Sequence, residues 1–400
     1  MVKKKKLLFV IESLTLAGSE KSLIALLTNL DSDLYDIDLQ LFKYGGELER
    51  FLPKYVNLLS PLPYTLFARK SFARNLKSFN IKFIKAKITY SLGLRLQKRN
   101  HTEIAKLYWK SVKHAFEVQD MKYDVAIAYA QGVPTFYVMD KIKATKKVTW
   151  VNANVQFTNY NKSFQKSYYD RYNYIVPVSK VNQEHFTNIF PDLSKKLWLI
   201  QDMIDYVNIG EMANLFKPEF KKDTFNLLTV SRLEKGMKGL DITIETCRIL
   251  RDKEIDFHWY ILGKGSFRPE IENYIKINKL EKHLTLLGTS ANPYPYFKAA
   301  DLYVQTSRSE SFGISIAEAR LLNTPVVTTR FDTVFMQMVD GKNGLVADMN
   351  AEAVAEAIIK IIDDNELYNS IVEYLKNEPK VNTETIKRFN AMIKNFISNN

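Results

Sequence analysis

Short β-rich runs separated by segments of helical period are the feature that most constrains this chain. In its second half the runs are FNLLTVS (225–231), HWYILG (258–263), LTLLG (284–288), LYVQTS (302–307), PVVTT (325–329) and GLVA (344–347). Helical patterns at 240–252, 269–278, 314–322 and 351–362 fall between most of them. Strands that alternate with helices pair in parallel, because each helix carries the chain back to start the next strand on the same side; helices then cover both faces of the sheet. The first half repeats the theme less regularly, with KLLFVIES, DIDLQLF, YDVAIAYA, KKVTWVNA, YIVPVS and LWLIQDM as candidate strands. The expected fold is therefore α/β, with two Rossmann-like domains at 1–205 and 206–384. The polar stretch 205–223, DYVNIGEMANLFKPEFKKD, has no clear period and marks their junction. A last helix at 385–400 carries Ile386, Phe389, Ile393, Phe396 and Ile397 on one face and must dock on something.

Length agrees with this division, since 400 residues exceed one ordinary core and point to about two or three units, two being the default. No uninterrupted apolar stretch reaches the roughly 18 to 20 residues of a membrane-spanning helix. The basic start, Met1 to Lys6, leads into an apolar run that meets Glu12 early, so it reads as a first strand and not as a signal peptide. The single cysteine, Cys247, excludes an internal disulfide and any multi-cysteine metal site, and its helical apolar setting gives it a packing role.

The net charge of +13 implies an anionic partner, and its distribution indicates which one. From Arg69 to Lys113 there are 13 Lys or Arg against one acidic residue, Glu103, interleaved with Phe72, Leu76, Phe79, Phe83, Ile84, Ile88 and Leu92. The region 67–115 is thus expected to be a basic amphipathic, membrane-facing segment that attaches to an anionic lipid surface. A nucleic-acid partner is disfavoured by the lack of any module signature, and a merely solvated basic face is the plain alternative. The expected location is cytoplasmic, peripheral on the inner face of the plasma membrane.

Ligands of such folds bind beyond the carboxyl ends of the strands, where glycines admit the backbone and helix N-termini offer free N–H groups. SLTLAGSEKSL follows the first strand with Gly18 feeding the next helix; one glycine stands where a dinucleotide fingerprint needs three, which disfavours a nicotinamide or flavin enzyme. ILGKGSF places Gly263 and Gly265 after a strand. In SRLEKGMKGL, Arg232 leaves a strand and Lys238 precedes the glycine that opens a helix, so two cations can face one crevice and suit a diphosphate. In SESFGISIAEA, Phe312 and Gly313 make a turn after Glu310, and the amides of Gly313, Ile314 and Ser315 can cap a phosphate. Glu310 can accept sugar hydroxyls, and Glu318, one turn into the helix, can accept both hydroxyls of a ribose. Asp31-Ser32-Asp33 resembles an acidic metal-binding triplet but sits in a turn-like setting, and no metal is expected.

Taken together, SRLEKGMKG, ILGKGSFRPEIE, LLGTSANPYPYFKAADLYVQTSRSE and the Glu310/Glu318 pair resemble retaining family 4 glycosyltransferases of the GT-B fold, of the bacterial surface-polysaccharide type, over most of residues 225–350. The first half is similar more loosely, through VIESLTLAGSEKSL, YDVAIAYAQG and YIVPVSK. The resemblance implies a retaining transfer of a sugar from a nucleotide diphosphate donor, UDP-linked by expectation, to a glycan acceptor, lipid-linked by expectation. A soluble transferase acting on a protein or free sugar, and a degenerate non-catalytic glycan binder, are the alternatives. It implies that Arg232 and Lys238 hold the diphosphate, that Glu310 contacts the donor sugar and that Glu318 binds ribose. Gly263, Leu287, Gly288, Ser311, Phe312, Gly313 and Ile314 would line the donor site, Leu287 and Gly288 bordering the base, with Gly18 at the N-terminal loop. Relatives often have two glycines there, where this chain has Ala17 and Gly18. Many also carry a histidine where this chain has Asn152, an acceptor-side position, so no histidine base is assigned. In such folds the C-terminal helix commonly crosses back to the first domain.

Overall fold

The structure is a computed structural model and describes residues 4–71, 80–96, 101–152, 159–380 and 383–398. It divides into two compact units, Met1–Met203 with Thr383–Asn400, and Ile204–Asn382. Each is built on a six-stranded parallel sheet with helices packed against it.

In the first unit the strands are β1 (Lys5–Ile11), β2 (Tyr35–Leu41), β3 (Val56–Leu58), β4 (Lys122–Ala128), β5 (Lys143–Val151) and β6 (Tyr174–Pro177), in the order β3-β2-β1-β4-β5-β6. The second unit holds β7 (Phe225–Val230), β8 (Phe257–Leu262), β9 (Leu284–Gly288), β10 (Leu302–Gln305), β11 (Val326–Thr329) and β12 (Gly344–Ala347), in the order β12-β11-β10-β7-β8-β9. Read from the other edge, the second order repeats the first. Both sheets are doubly wound, with the chain reversing its direction of travel at the β1/β4 and β7/β10 pairs. Leu8, Phe9 and Val10 of β1, like Leu227 and Leu228 of β7, are fully buried because helices cover both sheet faces. Cys247 lies in the core of the second unit, where burial pushes its thiol well above the ordinary range and leaves it inert.

The helix Thr383–Ser398 belongs to the first unit. Phe389, Met392, Ile393 and Phe396 enter its core, and Phe389 stacks on Phe9 with ring centroids 6.1 Å apart. Four such side chains contribute about 6–12 kcal/mol of hydrophobic burial. The side chain of Ile397 lies outside the described residues.

Three sequence expectations need correction. LWLIQDM is not a strand: it follows the edge strand β6 through an Ile175–Leu197 bridge and two backbone bonds, Trp198 N–H to Ile175 O and Ile200 N–H to Pro177 O. Pro177 has no N–H with which to extend the ladder. The junction stretch contains a helix, Tyr206–Met212, started by the Asp205 side chain accepting from Asn208 N–H; seven residues are too few to display a period. Similarly, β3 has three residues and could not be read from alternation.

The third correction concerns the basic segment. Phe72, Leu76 and Phe79 lie outside the described residues. The helix Ile81–Leu96 does not gather its apolar residues on one face. Phe83, Ile84, Ala86 and Tyr90 pack inward on the core. Ile81, Ile88, Leu92, Leu94 and Leu96 stand exposed, Ile81 and Leu96 by nearly four fifths, with Lys82, Lys85 and Arg95 exposed among them. The helix is apolar on both sides, so the single amphipathic face expected from the sequence is not formed over these residues.

A buried polar cluster lies where helix Gly18–Asn29 meets the end of the first unit. Ser22 Oγ is 3.1 Å from the Tyr129 hydroxyl and accepts from Met203 N–H at 3.0 Å. Beside it, the Asp202 carboxyl is fully enclosed, and burial pushes its pKa up to about 6 despite a bond from Ser22. Because the folded chain holds this proton more tightly than the unfolded one, the associated stability is present below about pH 4 and lost as pH rises through 6. Asp202→Asn is therefore expected to be more stable than the parent at pH 8, by about 2 kcal/mol, with no gain at pH 4. Denaturant unfolding at the two pH values checks this, and an equal effect at both would refute it.

Candidate functional site

Chain reversal at β7 and β10 marks the pair of strands beyond whose carboxyl ends ligands of doubly wound sheets bind. Arg232 and Lys238 lie on the loop after β7, and Glu310 through Gly313 on the loop after β10. The two loops are bound together closely. Gly239, with φ 60°, opens helix Leu240–Asp252, and a Cβ there would stand 1.9 Å from Thr306 O. Arg308 N–H donates to Met237 O at 2.8 Å, and its guanidinium grips Asp241 through two bonds of 2.7 and 2.6 Å. This fork holds the Asp241 carboxyl below the usual carboxylate range.

Lys238 and Glu310 meet directly. Lys238 Nζ is 2.6 Å from Glu310 Oε1, with both side chains less than a quarter exposed. The same oxygen accepts from Ser307 Oγ at 2.7 Å and from Gln305 Nε2 at 3.3 Å, while Thr333 Oγ1 donates to the main-chain carbonyl of Glu310 at 2.8 Å. Glu318, on helix Ile314–Leu321, is 1% exposed and accepts from the buried Tyr294 hydroxyl at 3.2 Å. Burial, reinforced by the charge of Glu318, raises the Tyr294 phenol well above its ordinary range. Tyr303, fully buried on β10, feels the charges of both Glu310 and Glu318, so the two carboxylates sit around one phenol.

The other sequence candidates of this unit lie at neighbouring strand ends. Arg232 is exposed. Gly263 packs on its loop so closely that a Cβ would stand 1.8 Å from Ser231 O, and Gly263 N–H donates to Gly288 O at 2.6 Å, which ties in the Leu287–Gly288 turn. Ser311 is half-buried and Phe312 buried, and Gly313, in left-handed conformation, precedes Ile314 at the start of the helix. Gly18 and Asn152 belong to the first unit. Gly18 is the first residue of helix Gly18–Asn29, with Ala17 extended before it. Asn152 follows β5 and donates to Tyr129 O at 3.3 Å; its buried Oδ1 has no partner among the described residues. Asp33 N–H donates to Asp31 Oδ1 at 2.8 Å, the bond of an Asp-capped turn.

Gln305, Ser307, Thr333, Tyr294 and the Arg308–Asp241 fork escaped sequence reasoning. Only Gln305 left a signal: an amide at the end of a run that a central strand should keep apolar. The others are ordinary polar residues whose partners are fixed by tertiary contacts.

Residues 212–378 match the family described as glycosyl transferases group 1. An uncharacterized glycosyltransferase of Methanocaldococcus jannaschii is 32% identical over 139 residues, covering 34% of this chain and 38% of that protein. The N-acetylgalactosamine-N,N'-diacetylbacillosaminyl-diphospho-undecaprenol 4-alpha-N-acetylgalactosaminyltransferase of Campylobacter jejuni is 27% identical over 222 residues, 55% of this chain and 59% of that one. The chain thus matches less than two thirds of the length of these curated relatives. Among solved structures, HepE of Anabaena in complex with UDP-glucose has a TM-score of 0.70 at 18% identity, covering 99% of this chain and 100% of that one. A Staphylococcus aureus TarM variant, solved with fondaparinux, alpha-GlcNAc-glycerol and UDP, has a TM-score of 0.68 at 15% identity, covering 97% and 99%. The chain has the two-domain α/β fold of these GT-B glycosyltransferases.

The close approach at Gly239 has a measurable consequence. Gly239→Ala must push the Thr306 carbonyl away and hold an L side chain at positive φ, and is expected to destabilise the second unit by about 3 kcal/mol or more. Thermal melting checks it; an unchanged melting temperature would show that the two loops are not in this contact.

Proposed function

We propose that this chain is a retaining glycosyltransferase of family 4 type, moving a sugar from a nucleotide diphosphate donor, UDP-linked, to a lipid-linked glycan acceptor in cell-surface polysaccharide synthesis. The observation that carries the reading is the Lys238–Glu310 pair at the β7/β10 reversal, with buried Glu318 beside it. A diphosphate leaving group requires cations at a strand end, and Lys238 with the exposed Arg232 supplies them. Glu310 Oε2, which bears no bond among the described residues, is suited to a donor-sugar hydroxyl. Glu318, whose Oε1 already accepts from Tyr294, is the carboxylate suited to accept a ribose hydroxyl. Gly313 and Ile314, at the start of a helix, can offer amides to a phosphate, and Leu287 and Gly288 can border the base.

The chemistry then rests on electrostatics. As the bond from the anomeric carbon to the diphosphate oxygen breaks, charge grows on the leaving group, and Lys238, Arg232 and the amides stabilise it without reorganising. That departing oxygen can take the acceptor proton on the face it leaves, giving retention with no protein nucleophile and no metal step. The group 1 match over residues 212–378 supports the donor half of this reading. The complexes of the structural neighbours with UDP and UDP-glucose support the nucleotide, and the diphospho-undecaprenol in the name of the Campylobacter relative supports a lipid-linked acceptor.

A lipid-linked acceptor requires the enzyme to reach a membrane, and none of the described helices is long and apolar enough to cross one. The exposed Ile81, Ile88, Leu92, Leu94 and Leu96, with Lys82, Lys85 and Arg95 among them, suit peripheral attachment to an anionic leaflet on the cytoplasmic side. Each cation near such a surface contributes about 1 kcal/mol, so reversing Lys82, Lys85 and Arg95 to Glu together is expected to weaken vesicle binding at least ~100-fold. Co-sedimentation with anionic and neutral vesicles measures this; negligible binding of the parent to both would favour a soluble transferase acting on a protein or free sugar.

The donor reading is tested by thermal shift against a panel of nucleotide sugars, where a ligand at about 100 times its Kd stabilises the fold by roughly 2.7 kcal/mol. With the ligand so identified, Glu310→Gln and Lys238→Ala are each expected to lower donor hydrolysis by about 100-fold or more while remaining folded. Unaltered hydrolysis in both would refute the assignment, and donor binding without turnover in the parent would indicate a non-catalytic relative.

A further inference from the structure

Strand β10 lies between β7 and β11, and Leu302, Tyr303 and Val304 are buried as a doubly covered strand requires. Gln305 places an amide at its end with only 6% exposure. Buried amides stay only where their bonds are made. Here both ends of the amide are engaged. Tyr303, two residues earlier and so on the same side of the strand, donates its hydroxyl to Gln305 Oε1 at 2.9 Å. Gln305 Nε2 donates to Glu310 Oε1 at 3.3 Å. The Tyr303 hydroxyl is itself bonded by the Ser315 side chain and stands 3.4 Å from Val230 O. Turning the amide over would set its oxygen against the Glu310 carboxylate, two acceptors facing each other, so the donor is held pointing at Glu310.

We infer that Gln305 is a positioning residue for Glu310: with Lys238 and Ser307 it saturates Oε1, leaving Oε2 as the carboxylate's acceptor for a hydroxyl of the transferred sugar. The inference rests on the reading of Glu310 as a sugar-contacting residue. Its physical content is orientational. Lys238 is a flexible point charge and Ser307 a rotatable hydroxyl, whereas a doubly anchored planar amide fixes the direction from which Oε1 is approached. The groups around the Glu310 carboxylate are then Lys238 from the loop after β7, Gln305 and the Tyr303 phenol from β10, and Ser307 from its own loop, with the Glu318 charge from helix Ile314–Leu321 acting on the same phenol.

Two variants test it. Gln305→Leu removes the donor and keeps the bulk. Gln305→Glu keeps the shape and sets a second carboxylate against Oε1, and two carboxyl groups in contact hold one proton between them more tightly than an isolated one does. With the nucleotide sugar found by thermal shift, kcat and donor KM are measured for hydrolysis or transfer from pH 5 to 9, alongside melting temperatures. Gln305→Leu is expected to lower kcat about tenfold with KM within about twofold, as for an interaction expressed in the transition state. Gln305→Glu is expected to move the acid limb of kcat up by about one pH unit or more, with activity returning toward the parent value at the alkaline end. Parental kcat and pH profile in both variants would overturn the inference, as would a pH-independent loss that merely follows melting temperature. If Gln305→Leu does not fold, the profile of Gln305→Glu decides alone. A parent chain that neither binds nor turns over any nucleotide sugar removes the transferase reading and this inference together; an active parent with unmoved variants removes only the second.

Discussion

Opposite charges brought together at the carboxyl ends of two adjacent strands are the interaction on which the candidate site depends. Lys238 and Glu310 are 72 residues apart and meet at 2.6 Å because β7 and β10 are neighbours in the sheet. A half-buried ion pair is no reliable source of stability, since losing water offsets much of the attraction. Its value here is placement. Cation and carboxylate are presented together where a parallel sheet leaves its natural opening.

Around that pair, rigidity comes from backbone contact more than from side-chain packing. Gly239 against Thr306, Gly263 against Ser231, and the Gly263–Gly288 hydrogen bond bring the ends of β7, β8, β9 and β10 to one surface. The Arg308–Asp241 fork and the Thr333 bond to the Glu310 carbonyl secure the same loops from outside. Glycines thus act at close approaches, where a Cβ would have no room, and polar side chains act where a loop must be aimed.

Much of the architecture was legible in the chain alone. Eleven of the twelve described strands were named from composition, since a strand covered on both faces must be a short run of apolar and β-branched residues. The failures were physical. β3 is too short to alternate, LWLIQDM has a strand's composition but meets a proline in its neighbour, and helix Ile81–Leu96 is apolar on two sides and so shows no single face. In the site, charged residues flanking glycines at strand ends drew attention, whereas Ser307, Thr333 and Tyr294 have nothing unusual in their local sequence.

The order of residues by itself determined that the chain is α/β, that its sheets are parallel, and that cations and carboxylates fall at strand ends, because hydrophobic period and loop chemistry are local properties. Only the tertiary structure decided that Lys238 meets Glu310, that three donors converge on one carboxylate oxygen, and that Glu318 is sealed against Tyr294. Those contacts join residues from 3 to 72 positions apart. Their distances are set by strand order and by how closely glycine backbones approach, quantities that no local window of sequence contains.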